Sequence, residues 1–224
     1  MKKPAMHFHI VTLFPEALRG YFSASIIGRA VKDGLIAVSY YNPRDYTKDR
    51  WCRIDRRPYG GGPGMVIEAL PVVKAAEAAR REAGRAKAKT IFFSAGGTPF
   101  TNIAARGYAR GAKHLILICG HYEGVDERAR KILKADAFSI GPYVLTGGEA
   151  PALVVADAVA RHVPGVLGKA ESLEEFRAAS HEVYTRPEIL RYKGTSYRVP
   201  KVLLSGHHAE IEAWKRKKGG VKRA

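Results

Sequence analysis

Cysteine, acidic residues and long apolar runs are all scarce in this sequence. Its two cysteines, Cys52 and Cys119, are too few for a disulfide framework or a thiolate zinc site. No apolar run approaches the ~20 residues that a membrane-spanning helix needs. The segment after the N-terminal lysines lacks the small-residue cleavage site of a signal peptide. We therefore expect a cytoplasmic protein that does not enter a membrane.

The shortage of acidic residues leaves a large positive charge. Lysine and arginine together number 38 against 21 aspartates and glutamates, which gives a formal net charge of +17. Such a surplus attracts polyanions at long range, so nucleic acid is the first partner to consider and an anionic membrane the second. A membrane partner would need a basic amphipathic helix or a lipidation site, and neither is convincing here. A basic surface that is simply solvated is the alternative.

The order of the apolar segments predicts an α/β domain. Short β-branched runs alternate with helical segments over the first 160 residues. Strands are predicted at His7–Leu13, Ile36–Tyr41, Thr90–Ser94, His114–Cys119 and Ala137–Ile140. Helices are predicted at Ser25–Asp33, Glu68–Ala83, Asn102–Arg110, Asp126–Lys134 and Glu149–His162. Such an alternation is typical of a largely parallel sheet with helices packed against it.

Two long segments interrupt this alternation and divide the chain. Asn42–Met65 carries six basic and three acidic residues, and a connection of this length inside a domain is usually functional or disordered. Pro164–Tyr184 is rich in charged and small residues, which is typical of a flexible linker. Beyond it, Gly206–Lys218 has the pattern of a helix. We predict a main domain at 1–163, a linker at 164–184 and a small basic helical domain at 185–224.

Several common catalytic motifs are missing. The sequence contains no G-x-x-x-x-G-K-[ST] phosphate loop, and SAGGTP at 94–99 does not match G-x-G-x-x-G. It also lacks the G-x-S-x-G elbow of serine hydrolases. His207 and His208 are adjacent, which suits two ligands of one metal poorly, so we interpret them as surface or packing residues. Kinases, Rossmann dehydrogenases and zinc enzymes are disfavoured, and we assign no metal ligand.

Glycine-marked loops follow three of the predicted strands, at 94–99, 120–124 and 141–148. Ligands of open parallel sheets bind at the carboxyl ends of the strands. Glycine in such loops lets the backbone approach a flat ligand closely. Any one of these loops is compatible with an ordinary turn. Three of them at the ends of core strands indicate that they converge on one pocket.

Seven motifs stand in order along the chain. They are LFPE at 13–16, PYGGGPGM at 58–65, GHYEGVDER at 120–128, SIGPYVLTGGE at 139–149, PGVLG at 164–168, YTRP at 184–187 and LLSGHHAEIEAW at 203–214. Together they closely resemble the bacterial tRNA (guanine-N(1)-)-methyltransferases, the TrmD family of the SPOUT superfamily. The resemblance implies an α/β domain with a deep trefoil knot, S-adenosylmethionine as methyl donor, guanosine 37 of tRNA as methyl acceptor, and a homodimer.

The resemblance also implies which residues hold the methyl donor. By motif they are Ser94, Gly120, Glu123, Ile140, Gly141, Pro142, Tyr143, Val144, Leu145, Gly147 and Gly148. Glu123 is the carboxylate of these loops, and it would face the sulfonium cation or a magnesium ion, which the family is reported to need. The alternative is that Glu123 only caps the helix that begins near Asp126. Pro142 departs from the family pattern, which usually has an acidic residue there.

Methylation of ring nitrogen 1 of guanine removes a proton and places negative charge on the 6-oxygen, so the site needs a base and a positive donor. The resemblance assigns the positive donor to Arg161, whose planar fork suits an oxyanion. A favourable charge at a helix end is the alternative. The family's base is an aspartate in the linker, and this linker has none. The resemblance places Glu174 there, with Glu175 as the close alternative.

Two other interpretations stay open. One is a SPOUT enzyme that methylates ribose or a different base. The other is a non-catalytic RNA-binding relative, which the missing aspartate and the short C-terminal domain favour. The small basic domain at 185–224 is expected to bind tRNA.

Overall fold

The computed structural model describes residues 3–84, 86–168 and 182–218. The chain divides into one unit that ends at Gly168 and a second that follows it. The strands of the first unit are β1 (Met6–Val11), β2 (Ile36–Tyr41), β3 (Asp55–Arg56), β4 (Val66–Ile67), β5 (Ala88–Pro99), β6 (His114–Ile118) and β7 (Asp136–Ser139). Its α-helices are α1 (Glu16–Phe22), α2 (Ser25–Lys32), α3 (Ala69–Ala83), α4 (Asn102–Gly111), α5 (Glu127–Leu133) and α6 (Glu149–Ala160).

Five strands form one parallel sheet in the order β2-β1-β6-β5-β7. This confirms the predicted α/β class and its parallel sheet. β5 continues through the segment 94–99 that the sequence analysis interpreted as a loop, because its last residues pair with β7 after an irregularity. Gly97 makes this approach possible, since a Cβ there would lie 2.6 Å from the backbone of Phe138.

Helices cover both faces of the sheet. The β6 sequence HLILI alternates between them: Leu115 and Leu117 pack in the cluster that contains α6, whereas Ile116 and Ile118 pack in the cluster that contains α3. Burial on both faces explains why the central strands are continuously apolar rather than alternating. Each fully buried Leu or Ile contributes about 1.5–3 kcal/mol, so this central strand anchors the layers.

The segment Asn42–Met65 is folded and is not a disordered excursion. It opens with a 3-10 turn at Pro43–Tyr46, where the side chain of Asn42 accepts a hydrogen bond from the Arg44 amide. β3 then pairs with β4 in antiparallel fashion. Ile54 is buried and its carbonyl accepts from the Glu68 amide at 2.7 Å. The two ends of the segment are thus fastened to the main core.

The second unit begins its described part with an antiparallel ribbon, β8 (Ile189–Tyr192) and β9 (Thr195–Arg198). The helices α7 (Lys201–Leu204) and α8 (His208–Lys218) follow, as the sequence predicted for this end of the chain. The ribbon was not predicted. Among the described residues of this unit none is buried. The division at Gly168 falls inside the predicted linker, whose extent stays a prediction.

None of the helices in the described ranges combines the length and the apolar character needed to cross a bilayer.

Candidate functional site

A cavity of about 380 Å³ lies at the carboxyl ends of β6 and β7 and beside residues 92–95 of β5, where the pairing with β7 becomes irregular. Ten of the eleven predicted donor-binding residues line it: Ser94, Gly120, Glu123, Ile140, Gly141, Tyr143, Val144, Leu145, Gly147 and Gly148. The remaining one, Pro142, is not among the described residues of the cavity wall. The structure therefore brings the three glycine-marked segments together at one place. That they hold a methyl donor stays a prediction at this point.

Close backbone contact holds two of these loops together. The amide of Gly148 donates to the carbonyl of Gly120 at 2.8 Å, just before α6 begins. A Cβ at Gly148 would lie 2.5 Å from Cα of Cys119, a distance that real side chains do not adopt. Glycine is therefore required at 148 by packing, and the cavity wall here is made of backbone.

The loop that carries Glu123 is tied to the end of the PYGGGPGM motif. The Glu123 amide donates to the carbonyl of Met65 at 3.0 Å, and the Ile67 amide donates to the carbonyl of Gly124 at 3.0 Å. Gly64 has φ +82, and a Cβ there would strike the Glu123 side chain. The two motifs thus form one continuous wall, a link that motif order alone does not reveal.

Glu123 does not cap the helix that follows it. The cap of α5 is the side chain of Asp126, which accepts from the amide of Arg128 at 2.9 Å. The hydrogen bond from the Arg128 guanidinium also lowers the pKa of the Asp126 carboxyl. The alternative interpretation of Glu123 as a helix cap is therefore wrong.

A second carboxylate, that of Glu127, also lines the cavity. The Arg130 guanidinium pairs with it. Within the described ranges, the Glu123 carboxylate has neither an ion pair nor a hydrogen bond. Glu123 is therefore the carboxylate at this site that is available to a cation.

His121 is a residue that the sequence analysis did not single out. It lines the cavity, and its ring stands 5.0 Å from Phe14 and 4.9 Å from Tyr122. Its Nδ1 is buried and, among the described residues, has no hydrogen-bond partner. This nitrogen faces Gly147, where a Cβ would lie 2.7 Å from it, so His121 contributes to the packing of the cavity wall. A single histidine inside GHYEG carries no spacing pattern that would have distinguished it.

Burial also decides the chemistry of Cys119. This residue follows β6 behind the cavity, and burial raises the pKa of its thiol well above the usual value. Near it, the buried Thr12 hydroxyl donates to Glu149 Oε1 at 2.7 Å. Cys119 is thus a packing residue, since a thiol held neutral is a poor nucleophile.

The predicted catalytic residues lie elsewhere in the chain. Arg161 directly follows α6, and its amide donates to the carbonyl of Asp157 at 3.0 Å. The described residues that line the cavity do not include Arg161. Glu174 and Glu175 lie outside the described residues. Within one chain, the described part of the structure therefore does not bring Arg161 and the cavity together.

A parallel sheet whose strand-end loops enclose a cavity of this size is the architecture of an α/β protein that binds a small ligand there. Comparison with known proteins identifies the family. The profile described as "tRNA (Guanine-1)-methyltransferase TrmD" matches residues 6–223. The chain therefore belongs to this family and is a tRNA (guanine-N1)-methyltransferase, as the seven ordered motifs predicted.

Curated relatives agree with the profile. The chain is 44% identical to the tRNA (guanine-N(1)-)-methyltransferase of Lachnospira eligens, over 95% of this chain and 89% of the relative. It is 45% identical to the protein of the same name from Pelotomaculum thermopropionicum and 46% identical to that from Pectobacterium atrosepticum, in each case over 95% of this chain and 84% of the relative. The match therefore covers both units.

Proposed function

We propose that this protein transfers a methyl group from S-adenosylmethionine to ring nitrogen 1 of guanosine 37 in tRNA, in the cytoplasm and as a homodimer. The observation that carries the proposal is the convergence of the GHYEG and GPYVLTGG loops on one cavity. The net charge of +17 supports a polyanionic substrate such as tRNA.

The cavity has the features that a nucleoside-containing donor requires. Its volume of about 380 Å³ lies in the range of small-ligand pockets. Backbone groups around Gly120 and Gly148 form part of its wall. When bound, the donor supplies an electrophilic methyl group on a sulfonium cation. The unpaired carboxylate of Glu123 favours such a cation in the cavity by electrostatic attraction.

Glu123 is also the residue that would hold a magnesium ion. Magnesium takes oxygen ligands and keeps several waters, so the carboxylate of Glu123 could be its one ligand from the protein, with water and substrate oxygens as the others. The requirement for magnesium itself belongs to the proposal, as one of the two roles that the unpaired Glu123 carboxylate supports.

The target guanine requires two groups from outside the cavity. Arg161 would hold the negative charge that develops on the 6-oxygen, because its guanidinium presents a planar fork of donors. Glu174 would accept the proton from ring nitrogen 1, with Glu175 as the alternative. Loss of the base should lower kcat and leave KM nearly unchanged, since the proton moves in the transition state. Whichever of the Glu174→Gln and Glu175→Gln variants shows this loss identifies the base.

The homodimer and the trefoil knot belong to the same proposal. The described cavity wall lacks Arg161, and a site completed by the partner subunit accounts for this separation. The chain after β7 returns against the loop that follows β6, with the Gly148 amide bonded to Gly120. A knotted chain needs such a tight return, and the glycine at 148 allows it.

Methyl transfer to unmodified tRNA transcripts tests the function. We expect transfer to a transcript with guanosine at position 37 and none to the same transcript with adenosine there. Mapping of the modified nucleotide should place the methyl group on nitrogen 1. Equal transfer to both transcripts, or methylation of ribose, would identify another SPOUT activity. Binding of S-adenosylmethionine without turnover would instead indicate a non-catalytic relative.

Mixed dimers test the shared site. A valine at Gly141 would collide with the Tyr143 ring, which lies 2.3 Å from the Cβ position, so Gly141→Val should block the donor cavity. Arg161→Ala should remove the positive donor. Each homodimer should be inactive. In a dimer of one chain of each kind, a cross-subunit site leaves one intact site and restores up to half of the activity. Absence of recovery in verified mixed dimers would rule out the cross-subunit site.

A further inference from the structure

Three histidines lie together on the α3 side of the sheet. His7 and His9 belong to β1, and His114 begins β6. The strand register pairs His7 with His114. Since alternate residues of a strand point to the same face, His9 joins them. The donor cavity lies at the carboxyl ends of β6 and β7, whereas His7 and His114 are near the amino ends of their strands.

The three side chains are close enough to share one ion. One ring nitrogen of each lies within 4.8 Å of the others, and no other such group of three occurs among the described residues. His9 Nε2 lies 2.9 Å from His114 Nδ1, and the rings of His7 and His9 stack at 4.0 Å. Imidazole nitrogens around a tetrahedral zinc ion lie about 3.4 Å apart. Movements of the ring nitrogens by about 1 Å would bring the three histidines to that spacing.

A carboxylate stands beside the histidines. Glu82, in the last turns of α3, has its Oε1 3.8 Å from His7 Nε2. The same His7 nitrogen lies 2.9 Å from the hydroxyl of Ser39. The Glu82 side chain is about half exposed at 48%, which gives an ion a way in from solvent. The three imidazoles alone form the group of mutually close ligand atoms, and Glu82 would join them as a fourth ligand by a movement of its side chain toward them.

The hydrogen bonds around His9 decide which of its ring nitrogens carries the lone pair. The Tyr41 hydroxyl donates to Glu82, so its oxygen can accept the Nδ1–H of His9, which lies 3.0 Å away. The lone pair of His9 is then on Nε2, the nitrogen that faces His114. That nitrogen is hydrogen-bonded to His114 Nδ1 at 2.9 Å, a bond that a shared ion would replace. Metal-binding histidines commonly donate their other ring nitrogen to an oxygen in this way.

We propose that His7, His9, His114 and Glu82 form a binding site for a borderline divalent cation of the zinc type, separate from the methyl-transfer site. Three imidazoles and one carboxylate are ligands that zinc prefers. Magnesium, which takes oxygen ligands, is disfavoured in this nitrogen-rich set. The ion would join β1 and β6 to the end of α3, and so would act on stability rather than on chemistry.

Cobalt titration of the full chain tests the proposal. Protein without a polyhistidine tag is freed of metal with a chelator and titrated with Co²⁺, whose visible absorption bands are intense when the ion is tetrahedral. We expect one Co²⁺ per chain with such bands, and their loss when Zn²⁺ is added. Zn²⁺ should also raise the melting temperature, because it binds the folded chain preferentially. A wild-type protein without these bands would overturn the proposal.

Variants locate the ion. His114 is only partly buried, so His114→Asn is the main variant, and its circular dichroism should match that of the wild type. We expect about 100-fold weaker Co²⁺ binding and no Zn²⁺-dependent rise in melting temperature. The matched control is His208→Asn in the exposed histidine pair of the second unit, which should bind like the wild type. Unchanged binding by His114→Asn would place the ion elsewhere. Unchanged binding by Glu82→Gln would remove Glu82 from the ligand set.

Discussion

The two ends of the parallel sheet are built in different ways. At the carboxyl ends of β6 and β7 part of the wall of the cavity is closely packed backbone, which requires glycine at Gly148. Toward the amino ends of β1 and β6 a cluster of side chains, His7, His9 and His114, projects from the sheet. An added side-chain atom should therefore disturb the cavity wall at Gly148. Removal of a side-chain group should instead disturb the histidine cluster.

The largest effect that this comparison predicts is at Gly148. In Gly148→Ala the new Cβ would lie 2.5 Å from Cα of Cys119 and 2.8 Å from the Gly120 amide nitrogen. The two loops must then separate, and a displacement of ~1 Å in such a site can cost about 100-fold in rate. We expect kcat/KM for methyl transfer to fall by about this factor, with weaker donor binding by calorimetry.

The matched control is Gly107→Ala. Gly107 lies in α4, and a Cβ there meets nothing within 4 Å. Alanine in a helix interior is more favourable than glycine by up to about 1 kcal/mol, so this variant should be fully active and slightly more stable. Full activity of Gly148→Ala would show that the cavity wall is not limited by backbone contact.

A smaller effect is expected at the histidine cluster, where Tyr41→Phe removes a hydroxyl. This hydroxyl donates to Glu82 and lies 3.0 Å from His9 Nδ1, and burial raises its pKa. The variant leaves the buried His9 nitrogen without this partner, which should lower the free energy of unfolding by about 1–2 kcal/mol. Chemical denaturation in the presence of a chelator measures it.

Methyl transfer by Tyr41→Phe should equal that of the wild type, because Tyr41 does not line the cavity. A loss of activity without a loss of stability would mean that the histidine cluster and the cavity are coupled, which would contradict their treatment as independent sites.

The fold was largely predictable because its main elements carry regular patterns. Apolar runs such as HLILI indicated buried strands, and all five strands of the parallel sheet were predicted. The helix α1 was missed because it is seven residues long and contains Gly20, which weakens a helical pattern. The ribbon of β8 and β9 was missed for a related reason. Its strands are four residues each and almost wholly exposed, so no apolar alternation marks them.

The cavity and the histidine cluster also differ in how far the sequence predicts them. The cavity was predictable as a place where the motif residues meet, because they lie in long contiguous motifs that a resemblance can match. The histidine cluster has only a local indication, the i, i+2 spacing of His7 and His9 in β1, which places both on one face. Its third member, His114, is distant in sequence and joins them only through the register of β1 with β6. Patterns in a single sequence do not contain that register, so only the folded structure shows that His114 joins the cluster.

The smallest predicted effect concerns the charge of Asp126, in the loop that follows β6. The Asp126 carboxylate caps α5 and pairs with Arg128, whose guanidinium lowers the pKa of that carboxyl below its ordinary value of 3.8. A carboxyl with a lowered folded pKa adds stability above pH 3.8 and loses it as the pH falls through the lowered value. Asp126→Asn keeps a capping oxygen but removes the charge, so it should lower the free energy of unfolding at pH 7 by about 0.5 kcal/mol.

The difference from the wild type should vanish at the acid end of a pH series of urea denaturations, where the wild-type carboxyl is also neutral. High salt at pH 7 should reduce it, because this pair is partly exposed. A difference that persisted unchanged at low pH would show that the capping geometry, rather than the charge of Asp126, holds the loop between Glu123 and α5.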